Sequence, residues 1–256
     1  MRASVTLVII IIMAIAVPVI GIIPMLQEMS KPEPAQLSFE VSLSNVVALT
    51  SSEVMLDVKN QGGDATDVTP ILISDALSAS PVQPVRVPRG ETVRIALKIA
   101  GRDVQYGEKT ADIRLRYSDA TGDHETTSNR ISFYLFPSVE LFEIKWQTDL
   151  LHPLGKNSIG KTDSTTLYFR VHSGSKSIIY SGLLVKVWPS MQVPGLTLSP
   201  DLTLIESIGP DGRTGSYSVS ISSNNSPPGK YTIGITLLTS DNKAILQQSV
   251  ELVISG

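Results

Sequence analysis

The chain is predicted to be all-β: two tandem β-sandwiches behind one N-terminal transmembrane helix. Three observations predict it. Residues 4–26, SVTLVIIIIMAIAVPVIGIIPML, run for 23 positions without a charged side chain. From Leu37 onward apolar residues recur with period two, in short runs parted by Gly, Pro, Asn and Asp, as half-buried strands do. The two halves of that β-region also match each other at a fixed offset.

At about 1.5 Å per residue the apolar run makes roughly 35 Å of helix, against a hydrocarbon core of about 30 Å. A spanning backbone must satisfy its own hydrogen bonds, so a helix is expected over residues 1–29. Pro18, Gly21 and Pro24 should kink it near its exit. Arg2 and the α-amino group precede it, while Glu28 and Lys31 follow, which predicts a cytoplasmic N-terminus and an extracytoplasmic body. Ala14-Ile15-Ala16 has the form of a signal-peptide cleavage site, and Arg2-Ala3 could precede a pilin-like one. All three readings export the rest.

Composition narrows the function. With 21 basic and 24 acidic residues the net charge is −3, unlike a dedicated nucleic-acid binder. There is no cysteine, so disulfides, thiolate metal sites and cysteine nucleophiles are excluded.

Residues 30–36 (SKPEPAQ) form a linker that Pro32 and Pro34 stiffen. Leu37, Phe39, Val41 and Leu43 alternate with polar residues as a first strand, and Val54, Leu56 and Val58 make the next. Residues 60–64 (NQGGD) are a turn, and a strand follows over 68–74. Pro81, Pro84 and Pro88 punctuate a loop that leaves room for one short edge strand over 85–87. Strands then centre on Ile95 and Leu97, on Ile113 and Leu115, and on Ile131 and Phe133, which completes a first sandwich over 37–136. Pro137 marks the boundary. A second sandwich, 137–256, draws strands from residues 141–146 and from runs around Phe169, Val185, Val219, Ile235 and Leu252.

Shifting residues 88–119 by 122 superposes ten identical residues in 32 positions without a gap, from Pro88 on Pro210 to Asp119 on Asp241. Turn residues fall on turn residues and inward positions on inward ones, which reads as duplication of one unit. The strand-to-turn string VKNQGG at 58–63, the Pro-x-Gly-x-Thr turn at 210–214 and GKYTI at 229–233 resemble CARDB-type, immunoglobulin-like modules of archaeal and bacterial surface proteins. That resemblance implies immunoglobulin-like sandwiches on an archaeal, S-layer-associated surface protein, and it carries no catalytic residue across. A single anchor with an outward sandwich also resembles the archaellum stator proteins, from which a second domain departs.

Gly155-Lys-Asn-Ser-Ile-Gly-Lys-Thr162 matches the phosphate-binding pattern G-x-x-x-x-G-K-[ST], which works only between a strand and a helix. Here residues 164–171 alternate with period two, so a hairpin loop is expected and no nucleotide. Asp119, Thr121, Asp123 and Glu125 stand at alternate positions as in a calcium loop, but Gly122 is out of place for one, and a hairpin turn explains them. His124, His152 and His172 are scattered, so no metal site is expected. Trp146 and Trp188 are expected to pack rather than to bind a ligand. Asn224-Asn-Ser226 fits a glycosylation sequon on an exposed turn. Arg94, Lys98, Arg114 and Arg116 should face solvent from strands of opposite sheets, where an acidic partner could meet them.

No catalytic constellation and no cofactor site can be named, so the chain is expected not to be an enzyme. It is expected to meet membrane lipid through its anchor and a protein partner through its sandwiches: an S-layer, a surface filament or a membrane complex. The alternative is an accessory subunit of a membrane enzyme or transporter, assembled through the kinked helix.

Overall fold

The computed structural model describes residues 32–256; the expected anchor, with Pro18, Gly21 and Pro24, lies outside them. The described residues are all-β, and none of their elements is a helix long and apolar enough to cross a membrane.

Among the described residues nineteen strands form four sheets. The first group is β1 (Leu37–Glu40), β2 (Asn45–Val47), β3 (Ser51–Asn60), β4 (Ala65–Ile73), β5 (Leu77–Ala79), β6 (Val85–Val87), β7 (Thr92–Gly101), β8 (Gly107–Asp119), β9 (Gly122–Glu125) and β10 (Asn129–Phe136). The second is β11 (Val139–Trp146), β12 (Ser158–Ile159), β13 (Ser164–Ser173), β14 (Tyr180–Pro189), β15 (Leu196–Ser199), β16 (Leu202–Ile208), β17 (Tyr217–Ser223), β18 (Gly229–Leu238) and β19 (Ala244–Ile254). The sheet orders are β1-β3-β7-β5 and β2-β10-β8-β4-β6, with β9 added on β8, then β11-β13-β17-β15 and β12-β19-β18-β14-β16. Apart from the β8–β9 hairpin, the two groups share one topology strand for strand. That correspondence includes a parallel pairing of a short early strand with the last one: β2 with β10, and β12 with β19.

Each group encloses its own core. In the first, Leu56, Val58, Leu97, Ile99, Ile113 and Leu115 are buried; in the second, Leu167, Phe169, Val171, Val185, Ile221 and Ile235 are. Period two produces this directly: Val54, Leu56 and Val58 point in from β3 while Met55 and Asp57 point out. The prolines around β6 confine it to three residues at a sheet edge.

The stretch before β1 is stitched down. Ala35 N donates to Asp119 Oδ2 (2.8 Å), Gly63 N to Pro34 O (3.0 Å) and Gln61 N to Gln36 O (2.9 Å). Asn60, buried at the end of β3, holds the same region. Its Nδ2 donates to Gly63 O (2.6 Å) and Val87 O (2.9 Å), and its Oδ1 accepts from Gln36 N (3.2 Å) and Gly62 N (3.1 Å).

Six short strands escape the sequence pattern: β2, β5, β9, β12, β15 and β16. Most are too short for alternation to register. In β16 the alternation is inverted: Leu202 and Leu204 face out, while Thr203 and Ile205 face in.

The two groups meet where the β7–β8 turn and β10 of the first reach the β13–β14 and β18–β19 turns of the second. Asp103 Oδ2 accepts from Lys176 N, Ser177 N and Ser177 Oγ (2.7–3.0 Å), and Tyr106 Oη donates to Ser181 O (2.8 Å). Tyr134 Oη donates to Asp241 Oδ1 (2.7 Å), and Lys243 Nζ lies 3.7 Å from the centre of the Tyr134 ring. Burial, then the Asp241 bond, pushes the Tyr134 hydroxyl up to about 12. The Thr239 hydroxyl, then that of Tyr134, holds the Asp241 carboxyl below its ordinary value of 3.8. The signs differ. The tyrosine's contribution is complete below its ordinary value of 10 and is lost as pH rises through about 12. The carboxylate's contribution is complete above 3.8 and is lost as pH falls through its lowered value. Tyr134→Phe is expected to cost about 1 kcal/mol near neutral pH, because solvent screens the half-exposed carboxylate. In thermal melts the gap between wild type and variant should narrow above pH 10 and close as pH rises through about 12. A gap that stays constant to pH 12 would show that the bond contributes nothing.

Candidate interaction surface

Turns along a β-sandwich alternate between its two ends. The β11–β12 loop (147–157), the β14–β15 loop (190–195) and the β17–β18 turn (224–228) therefore share the end of the second group remote from the first. Backbone bonds tie them together. Gln147 N donates to Thr166 O and Lys156 N to Gln147 O (both 2.7 Å), closing the base of the long loop. Asn225 N donates to Lys161 O (2.7 Å), as does Ser223 Oγ (2.9 Å), and Asn224 N donates to Gly195 O (2.8 Å). Gly195 has φ +77°, and a Cβ there would stand 2.1 Å from Asn224 O, so only glycine lets these two loops approach.

Inside the long loop Asp149 acts as a cap. Its Oδ1 accepts from Leu151 N (2.9 Å), His152 N (2.8 Å) and His152 Nδ1 (2.8 Å). The His152 contact is the largest of the effects that hold the Asp149 carboxyl below its usual range. The capped turn points its apolar side chains outward: Leu150 is 102% exposed, Leu151 86% and Leu154 101%. Met191, in the neighbouring β14–β15 loop, is also exposed. Burying one such side chain is worth about 1.5–3 kcal/mol, so folding alone gives no reason to present three leucines on a pinned loop. The equivalent connection in the first group, between β1 and β2, has four residues where this one has eleven.

This surface absorbs two motifs from the sequence. The G-x-x-x-x-G-K-T string spans the last part of the long loop, β12 and the β12–β13 turn, and β13 follows it where a phosphate site needs a helix. Lys156 Nζ pairs with Asp163 (2.8 Å). Asn224 of the sequon is exposed on the β17–β18 turn, while Ser226 is buried.

The other candidates lie elsewhere and do not converge. Asp119 Oδ1 accepts from Thr121 N (2.7 Å) and Thr121 Oγ1 (2.6 Å) and contacts His124 Nε2 (3.0 Å). Chiefly the Thr121 hydroxyl holds the Asp119 carboxyl well below the carboxylate range. Asp123 accepts from Ser118 Oγ, and Glu125 pairs with Arg116 (3.1 Å) and Arg114 (3.9 Å), so these oxygens serve the β8–β9 hairpin. His124, His152 and His172 each meet a different carboxylate, of Asp119, Asp149 and Glu140. Arg94, on β7, forms a two-pronged pair with Asp57, directly opposite on β3. Lys98 makes no ion pair among the described residues. The strands carrying these basic residues, β7 and β8, lie in opposite sheets. Trp188 packs over Gly234, where a Cβ would come within 2.7 Å of the indole, and its Nε1 donates to Thr236 Oγ1 (3.1 Å). Trp146 is half-buried against the second core.

Sequence reasoning missed the exposed leucines. The available signal was three leucines in five positions of a loop that also holds Pro153 and Gly155, in phase with no strand.

No family model and no curated protein matches the chain. Among solved structures it is similar to red sea bream transglutaminase (15% identity, 86% of this chain, 31% of that one, TM-score 0.38). It is also similar to a C-terminal 282-residue fragment of intimin, solved with the intimin-binding domain of the translocated intimin receptor (10%, 86% and 64%, 0.39). A third is a chimeric titin Z1Z2 tandem (12%, 87% and 100%, 0.30). The chain thus spans about a third of the transglutaminase and under two thirds of the intimin fragment.

Proposed function

We propose that this is a membrane-anchored, extracytoplasmic interaction protein. The segment 4–26 holds it by an N-terminal helix, and two tandem immunoglobulin-like sandwiches reach outward to an S-layer, a surface filament or a membrane complex. Separate cores and a repeated strand order support the tandem reading. The observation that carries the function is the leucine knuckle, Leu150, Leu151 and Leu154, on a rigidly capped loop at the end remote from the first group. A convex apolar tip on a fixed base suits an apolar pocket in a partner protein, where a few desolvated side chains supply most of the binding energy.

The test replaces all three leucines by serine. They are almost wholly exposed, so stability should change by no more than about 0.5 kcal/mol per site. The full chain, drawn from gently solubilised membranes, is expected to retain a stoichiometric partner, and the triple variant to recover at least about tenfold less of it. Equal recovery by both, or a wild-type chain that emerges as a clean monomer, refutes the reading. Protease added to intact cells should cut the sandwiches; complete protection would refute the topology.

A further inference from the structure

The outer edges of the two groups differ. In the first, the edge strand β6 has three residues, is bracketed by Pro84 and Pro88, and is pinned by Arg86 on Asp64. Natural sheets blunt their edges in this way. Its counterpart β16 has seven residues, Leu-Thr-Leu-Ile-Glu-Ser-Ile, with neither proline nor bulge. Among the described residues the one longer edge strand, β11, is interrupted by an irregularity at Phe142/Lys145 and carries Glu140, Glu143 and Lys145.

Register fixes what β16 offers. Val187 N donates to Asp201 O (2.7 Å), and opposite residues of an antiparallel pair alternate between bonded and non-bonded. The backbone groups of Thr203 and Ile205 therefore point at β14, and those of Leu202 and Leu204 point away from the sheet. On the outer face Leu204, Leu184 and Leu238 stand side by side across three strands. Leu202 and Leu204 are 49% and 54% exposed. On the inner face Thr203 Oγ1 is buried and has no hydrogen-bond partner among the described residues.

We propose that β16 pairs antiparallel with β16 of a second copy, about a two-fold axis through Thr203, joining two five-stranded sheets into one. Leu202 of each copy then faces Leu204 of the other as bonded pairs, adding about four backbone bonds. The four leucines form one cluster, which each copy's Leu184 and Leu238 extend. The two Thr203 side chains meet as a non-bonded pair with Cα atoms about 4.5 Å apart, close enough for the orphaned hydroxyls to bond to each other. Neighbouring registers are worse. Centring on Leu204 sets Leu202 against Glu206, and centring on Leu202 sets Leu204 against Pro200, which has no N–H. The interface is isologous, so it closes at two copies. It does not depend on where the protein resides.

The chain has no cysteine, so Thr203→Cys gives a single thiol in the full-length protein. A Cα separation of about 4.5 Å lies within disulfide range. Under mild oxidation Thr203→Cys is expected to run mostly as a covalent dimer on a non-reducing gel. Leu204→Cys, at the centre of the rival register, and Thr197→Cys, on the β15 edge, should stay monomeric. In sedimentation of the detergent-solubilised full chain, Leu204→Lys should weaken self-association at least about tenfold while the circular dichroism of the fold is retained. The proposal is overturned if Thr203→Cys links no better than Thr197→Cys, or if Leu204→Cys links more. Adducts to a different protein in place of the dimer, or equal self-association by wild type and Leu204→Lys, would overturn it as well.

Discussion

Asn60→Ala is expected to lose about 3–5 kcal/mol of the first group's stability, a large share of what a single domain has. The side chain is wholly buried and makes four hydrogen bonds, to Gln36, Gly62, Gly63 and Val87. Alanine removes the bonds and strands two N–H groups and two carbonyls where water reaches poorly, at about 1–3 kcal/mol for each group left unmade. The loss should be local, since Asn60 touches nothing in the second group. Both tryptophans, Trp146 and Trp188, lie in the second group, so fluorescence reports that group alone. Hydrogen exchange should show β3, β7 and β8 losing protection while the fluorescence-detected melt barely moves. A variant whose first group melts within about 1 °C of wild type would show the knot to be redundant.

Phe169→Ala should do the converse. Phe169 is fully buried in the second core, with its ring centroid 5.7 Å from that of Tyr217. Truncating a buried phenylalanine costs about 3–5 kcal/mol through lost transfer energy and the cavity left behind. Here the fluorescence-detected melt should fall by several degrees, with exchange in β3 and β7 little changed. If both variants lower both melts equally, the two cores unfold as one unit, and the junction at Tyr134 and Asp241 is far stronger than its half-exposed carboxylate suggests.

Long strands were legible because burial on one face writes itself into the sequence as period two: β3, β7, β8, β13 and β18 each carry three or more inward apolar residues. The edge strand Val85–Val87 was legible because prolines bound it. The 122-residue offset carries the start of β8 at Gly107 onto the start of β18 at Gly229. What stayed hidden followed other rules. Short strands such as β12 are set by pairing with a distant partner, which no local window contains. β16 shows its leucines to solvent, so hydrophobicity read alone turns the strand over. Asp149 caps the turn that carries Leu150, Leu151 and Leu154, and the sequence shows only that these leucines fit no strand phase.

The parallel pairing of β2 with β10, and of β12 with β19, has a mechanical meaning. In each group an early strand and the last strand run the same way side by side. A pull on the flanks drags them in opposite directions along their common axis. The bonds between them are then loaded together, in shear, instead of being peeled one after another. Such a clamp resists tension better than a hairpin of the same length.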